Sequence, residues 1–99
     1  MKLASTLFYS LLITLSVGLQ ANDTLELYNK SCLFCHASGA AKAPKTHDVA
    51  AWTPRIKKGM PALLSSVKNG IGVMPPKGLC MDCTDAEFTA LIELMSSAK

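Results

Sequence analysis

The stretch Cys32-Leu33-Phe34-Cys35-His36 decides how the rest of this chain is read. Two thiols three positions apart stand on one side of a helical turn, and an imidazole follows at once. Working outward, Asp23 can cap a helix with Glu26 three residues on, and Leu25, Leu27, Tyr28 and Cys32 carry that helix directly into the quoted stretch. A second helical region is expected from Asp48 to Lys58, broken at Pro54 and closed by Gly59. A third begins at Pro61, a residue suited to a first helical position, and stops at Asn69-Gly70. In the last helix Thr84 and Glu87 form a capping pair, and Phe88, Leu91, Ile92 and Met95 repeat on one face as core. No strand alternation of useful length is present, so the fold class is all-α. The segments from Ala37 to His47 and from Ile71 to Cys83 are then long loops, and in so small a domain they need something to wrap around.

With 99 residues the chain holds one domain, and its four cysteines are the obvious staples for a marginal core. Lys2, the apolar run from Leu7 to Leu19 and the small-residue site at Leu19-Gln20-Ala21 read as a secretory signal, residues 1–21, followed by a single domain, residues 22–99. The alternative is a retained anchor, but a run of about 13 residues is short of the roughly 20 needed to span a bilayer. Export puts the cysteines in an oxidising compartment, here taken as the periplasm. The formal net charge of +3 is small and there are no basic runs, which argues against nucleic-acid binding and strong long-range steering.

Cys-x-x-Cys-His is the pattern of c-type haem attachment. The thiols of Cys32 and Cys35 reach two vinyl groups on one porphyrin edge, and His36 directs an imidazole nitrogen at iron. Its other nitrogen needs a backbone carbonyl to fix tautomer and orientation, and Pro44 in the following loop is the candidate. A zinc ribbon would have to join Cys32 and Cys35 to Cys80 and Cys83 across about 44 residues, against roughly 15–20 in such ribbons, and would leave His36 without a purpose. A thioredoxin-like pair would want a βαβ setting, which is missing.

A carrier needs a sixth iron ligand, and thioether sulfur is the usual one opposite histidine. Met95 lies on the apolar stripe and Met60 at a helix start, so both are assigned to packing. Met74 stands in Gly70-Ile71-Gly72-Val73-Met74-Pro75-Pro76, where glycines permit close approach and prolines stiffen the chain, and it is the expected ligand, with Met81 next. His47 is read as a solvated loop side chain. Trp52 and Arg55 can donate hydrogen bonds to haem propionates, with a packed indole and an exposed cation as the plain alternatives. Lys42, Lys45, Lys57, Lys58 and Lys77 are candidates to rim one face near an exposed haem edge at Leu33, Phe34 and the Met74 loop, or are simply solvated surface.

Taken in order, Cys32-x-x-Cys35-His36, Ala43-Pro44-Lys45, Ala50-Ala51-Trp52-x-Pro54-Arg55-Ile56, Lys58-Gly59-Met60, Met74-Pro75-Pro76-Lys77-Gly78 and Cys80-Met81-Asp82-Cys83 resemble the bacterial cytochrome c5 family, monohaem class I cytochromes c, over nearly all of residues 22–99. The resemblance implies a helical fold around one covalent haem c, with His36 and Met74 as axial ligands, and a Cys80–Cys83 disulfide. Thr46-His47 departs from the family's smaller residues there. Thr84, not histidine, follows Cys83, which rules out a second haem, and an exported compartment favours a bridge; a reduced pair and a redox-active pair stay open. The expected function is that of a soluble electron carrier, not an enzyme. It would pass single electrons from a quinol-oxidising complex or other donor to a terminal oxidase, peroxidase or reductase. A haem enzyme or gas sensor with an open iron position, and a fixed subunit of a larger complex, are the competing classes.

Overall fold

The structure is a computed structural model and describes residues 19–99. Lys2 and most of the expected apolar signal run lie outside the described residues. Among the described residues there are five helices: α1 Leu19–Lys30, α2 Leu33–His36, α3 Val49–Ile56, α4 Met60–Asn69 and α5 Asp85–Ser96. Short turns at Ala40–Lys42 and Pro76–Leu79 divide the two long loops. Among the described residues there are no strands, only an isolated bridge between Ile71 and Met74, so the fold is all-α.

α1 begins before Asp23, so that residue lies inside the helix and does not cap it. Leu25 is about half exposed, and Tyr28 is the α1 residue that enters the core. Nor does α1 run unbroken into the cysteine motif. The Ser31 hydroxyl donates to the Leu27 carbonyl at 2.6 Å, and the chain tightens through a turn before α2 resumes. Cys32 itself keeps helical dihedrals, and the His36 amide bonds to the Cys32 carbonyl at 2.9 Å.

Asp48 caps α3 by accepting from the Ala51 amide at 3.2 Å. Pro54 does not break α3, which continues to Ile56. The helix is short enough that the proline removes one ladder bond, and beside it Thr53 Oγ1 donates to the Val49 carbonyl at 2.7 Å. α4 starts with Pro61 in its first turn and is bracketed by Gly59 and Gly70, both at positive φ. α5 opens with a reciprocal capping box: the Glu87 amide donates to Thr84 Oγ1 at 3.2 Å and the Thr84 amide to Glu87 Oε2 at 2.9 Å.

α5 is the hub against which α1, α3 and α4 pack. Its buried Phe88, Leu91, Ile92 and Met95 join Tyr28 and Trp52, with Met60, Leu63, Leu64 and Val67 half-buried around them. Each fully buried side chain of this kind contributes about 1.5–3 kcal/mol. Six such residues make a thin core, and it lies to one side of the two long loops. His47 is a half-exposed loop residue, and it also bonds to the protein. Its amide donates to the Met95 carbonyl at 2.7 Å and its Nδ1 to the Ser97 carbonyl at 2.8 Å, satisfying carbonyls at the end of α5 and fastening the first loop there.

Candidate functional site

Between α2 and the two long loops lies a cavity of about 570 Å³, within the range of about 300–1,000 Å³ that takes cofactor-sized ligands. α2 brings Cys32, Cys35 and His36 to its wall together, because the helical turn sets all three on one side. Pro44 comes from the first loop, Arg55 from α3, and Met74 with Pro75 from the second loop. Six of the seven residues expected at the cofactor therefore line one space, although His36 and Met74 are far apart in sequence.

The imidazole of His36 is buried and held from three directions. Its Nδ1 donates to the Pro44 carbonyl at 2.8 Å, which leaves Nε2 as the nitrogen available to a metal. Its ring stacks on Trp52 with centroids 5.7 Å apart. Its own carbonyl accepts from the Thr46 amide at 2.8 Å and from Thr46 Oγ1 at 3.3 Å, and the Tyr28 hydroxyl in turn donates to Thr46 Oγ1 at 2.8 Å. Thr46 and Tyr28 escape a reading of the sequence. The available signal is that a tyrosine on a buried face needs a partner for its hydroxyl.

Trp52 is the expected cofactor residue that does not reach the cavity. Its indole N-H is spent on the Lys45 carbonyl at 2.9 Å and its ring on His36, so in place of donating to a propionate it braces the histidine from behind. Arg55 does line the cavity, with Nη1 donating to the Ala51 carbonyl at 2.6 Å. Lys42 lines it as well, and no acidic side chain among the described residues does. Of the five lysines only Lys42 is on the cavity wall; Lys57 lies on a shallow groove with Val49, Ile56 and Ser96, and Lys77 Nζ donates to the Met81 carbonyl at 3.2 Å, which fits the plainer reading of solvated surface.

Met74 sits in a tight turn in which its amide and the Ile71 amide bond reciprocally to each other's carbonyls at 3.0 and 3.1 Å. Met81 is largely exposed and off the cavity wall, Met60 packs against the core and Met95 is inside it. Cys80 and Cys83 form a disulfide with Cα atoms 5.5 Å apart, half-buried against the core where the second loop meets α5. A four-residue ring contributes only about 2 kcal/mol through chain entropy, so its position matters more than its energy. Among the described residues no three His, Cys, Asp or Glu side chains gather as a metal cluster, which leaves the zinc alternative without a site.

These side chains fit a haem. Burial pushes the Cys32 thiol up, and Cys35 is exposed at the cavity edge. One imidazole and one thioether are the donor types that hold haem iron in a carrier, the wall is otherwise largely apolar, and Lys42 and Arg55 are cations suited to carboxylates.

Comparison with known proteins agrees with this chemistry. The family model described as cytochrome C oxidase, cbb3-type, subunit III matches residues 20–95. Cytochrome c5 of Azotobacter vinelandii is 46% identical over 81 residues, covering 80% of this chain and 95% of that protein. A mono-heme ferrocytochrome c from Shewanella putrefaciens is 51% identical with a TM-score of 0.68, covering 77% of this chain and 94% of that one. A cytochrome c solved in an electron transfer complex with nitrite reductase is 41% identical with a TM-score of 0.67, covering 74% and 89% respectively. With its Cys-x-x-Cys-His helix and Met-Pro-Pro loop facing one cavity, the chain belongs to the cytochrome c5 family of haem-binding electron carriers.

Proposed function

We propose that the chain carries one haem c bonded through Cys32 and Cys35, with His36 and Met74 as its axial ligands. On this reading it shuttles single electrons in the periplasm after loss of residues 1–21. The observation that carries the proposal is the shared cavity, which puts a buried, carbonyl-anchored imidazole and the thioether-bearing Met74 of the second loop at the same space. Bound there, the haem supplies a one-electron ferric/ferrous couple. The Pro44 carbonyl fixes the tautomer of His36, and Met74 closes the remaining position with a neutral sulfur that favours the reduced state. With both positions held there is no room for substrate, so the chain exchanges electrons and does no chemistry on a bound molecule. The expected result is a weak red charge-transfer absorption of sulfur on ferric iron, and little carbon monoxide binding by the reduced protein. Strong carbon monoxide binding at neutral pH would favour the enzyme or sensor class.

As donor we propose a quinol-oxidising complex, and as acceptor an oxidase, peroxidase or reductase; the related cytochrome c in complex with nitrite reductase supports the reductase class. Ile71, Val73 and Leu79 are exposed at the cavity mouth, with Lys42 and Arg55 also on its wall. This apolar rim with a few cations suits brief docking. The electron-transfer rate with a partner should fall as ionic strength rises from about 0.01 to 0.1 M, where the Debye length shrinks from about 30 to 10 Å. A rate indifferent to salt would leave docking to the apolar rim alone. The match to an oxidase-subunit family favours a second reading, a fixed subunit, and size-exclusion of the native protein separates the two.

A further inference from the structure

Between the Met-Pro-Pro segment and the disulfide, Lys77, Gly78 and Leu79 stand in succession at φ 65°, 52° and 69°. Two of the three are not glycine, so this left-handed run is imposed by its surroundings and not by local preference. It is tied at both ends. The Gly78 amide bonds to the Pro75 carbonyl at 3.0 Å, the Cys80 amide to the Lys77 carbonyl at 2.9 Å, and the Cys80–Cys83 bridge follows at once. The run turns the α-carbon of Gly78 onto the end of the Met74 side chain: a β-carbon at position 78 would lie 2.7 Å from Met74 Cε and meet nothing else within 4 Å.

We infer that Gly78 is a positioning residue for Met74: the left-handed turn at Lys77–Leu79 forms a stop behind the thioether methyl and sets the direction from which the sulfur addresses iron. This rests on Met74 being the sixth ligand, and it extends that reading to a residue that touches neither iron nor porphyrin in the argument. A methionine with a loose end would swing aside from an added methyl at little cost, since its three side-chain torsions are soft. A methionine whose sulfur is gripped by iron has no such freedom, so the same methyl must lengthen or tilt the iron–sulfur bond.

The molecule supplies its own control. Gly59, off the cavity wall before α4, also stands at positive φ, 89°, and a β-carbon there meets only Pro61 Cδ at 3.8 Å, an ordinary contact. Gly78→Ala and Gly59→Ala therefore both carry a positive-φ backbone penalty, and only the first presses on Met74. Both are made in the haem-loaded protein, and the ferric forms are titrated with imidazole, which competes with the thioether for iron. Gly78→Ala is expected to bind imidazole about ten-fold more tightly than wild type, with a weakened red charge-transfer absorption. Gly59→Ala should stay within about two-fold of wild type. Circular dichroism and haem content check that each variant is folded. If a misfolded Gly78→Ala gives no titration, Gly78→Ser in the same assay poses the same β-carbon with a side chain that tolerates the turn better.

Equal imidazole affinities for the two folded glycine variants would overturn the inference. Wild type lacking the charge-transfer absorption altogether would instead remove Met74 as the ligand, so the two failures are told apart.

Discussion

Serine in place of both Cys32 and Cys35 is expected to leave a chain that does not accumulate as a folded protein. The six-residue core lies to one side of a cavity of about 570 Å³. Open at its mouth, the cavity without a cofactor takes in water, and the burial that its largely apolar wall would gain against the porphyrin is lost. Domains of this length are stable by roughly 4–12 kcal/mol in total. Losing that burial is enough to melt so thin a fold, and the loop segments that line the cavity open first. Circular dichroism of the exported double variant, with immunodetection of its level, reads the effect. A soluble, haem-free variant with native helix content and a cooperative thermal transition would contradict it.

Met74→Ala is expected to keep the fold and lose the electron-carrier character. Met74 is only partly buried and contributes little to the core around α5, whereas its sulfur is the group proposed to close the sixth position. Its removal should lower the reduction potential by on the order of 0.2 V, a fraction of the roughly 0.8 V over which axial ligands tune haem proteins. At about 59 mV per tenfold for one electron, that is more than three decades in the electron-exchange equilibrium. The reduced variant should also bind carbon monoxide readily. Potentiometric titration and a carbon monoxide difference spectrum check both outcomes, and an unchanged potential would mean that another group holds the position. Met81, exposed and off the cavity wall, is badly placed to substitute.

What could be read from the sequence was what is local. The Thr84–Glu87 capping box and the α5 stripe depend on residues within a few positions of each other, and both stand in the structure. The three-residue step of the cysteine motif is local in the same sense, which is why its side chains share one wall. Trp52 is different. Its indole N-H had several conceivable partners, and only the folded loop puts the Lys45 carbonyl nearest to it. The left-handed backbone at Ala41, Lys42, His47, Lys77 and Leu79 was equally illegible, because none of these residues favours it alone and tertiary contacts impose it. The helix limits near Asp23 and Pro54 were misread for a related reason. A local stop signal yields when neighbouring turns continue the ladder.

The hold of His47 on the carbonyls of Met95 and Ser97 has a practical corollary. The same loop carries Pro44 and Thr46, which orient His36, so the residues that close α5 are a rear mounting for the imidazole. An affinity handle fused directly after Lys99 begins three positions beyond Ser97, and would tug on the metal ligand unless a flexible spacer intervenes.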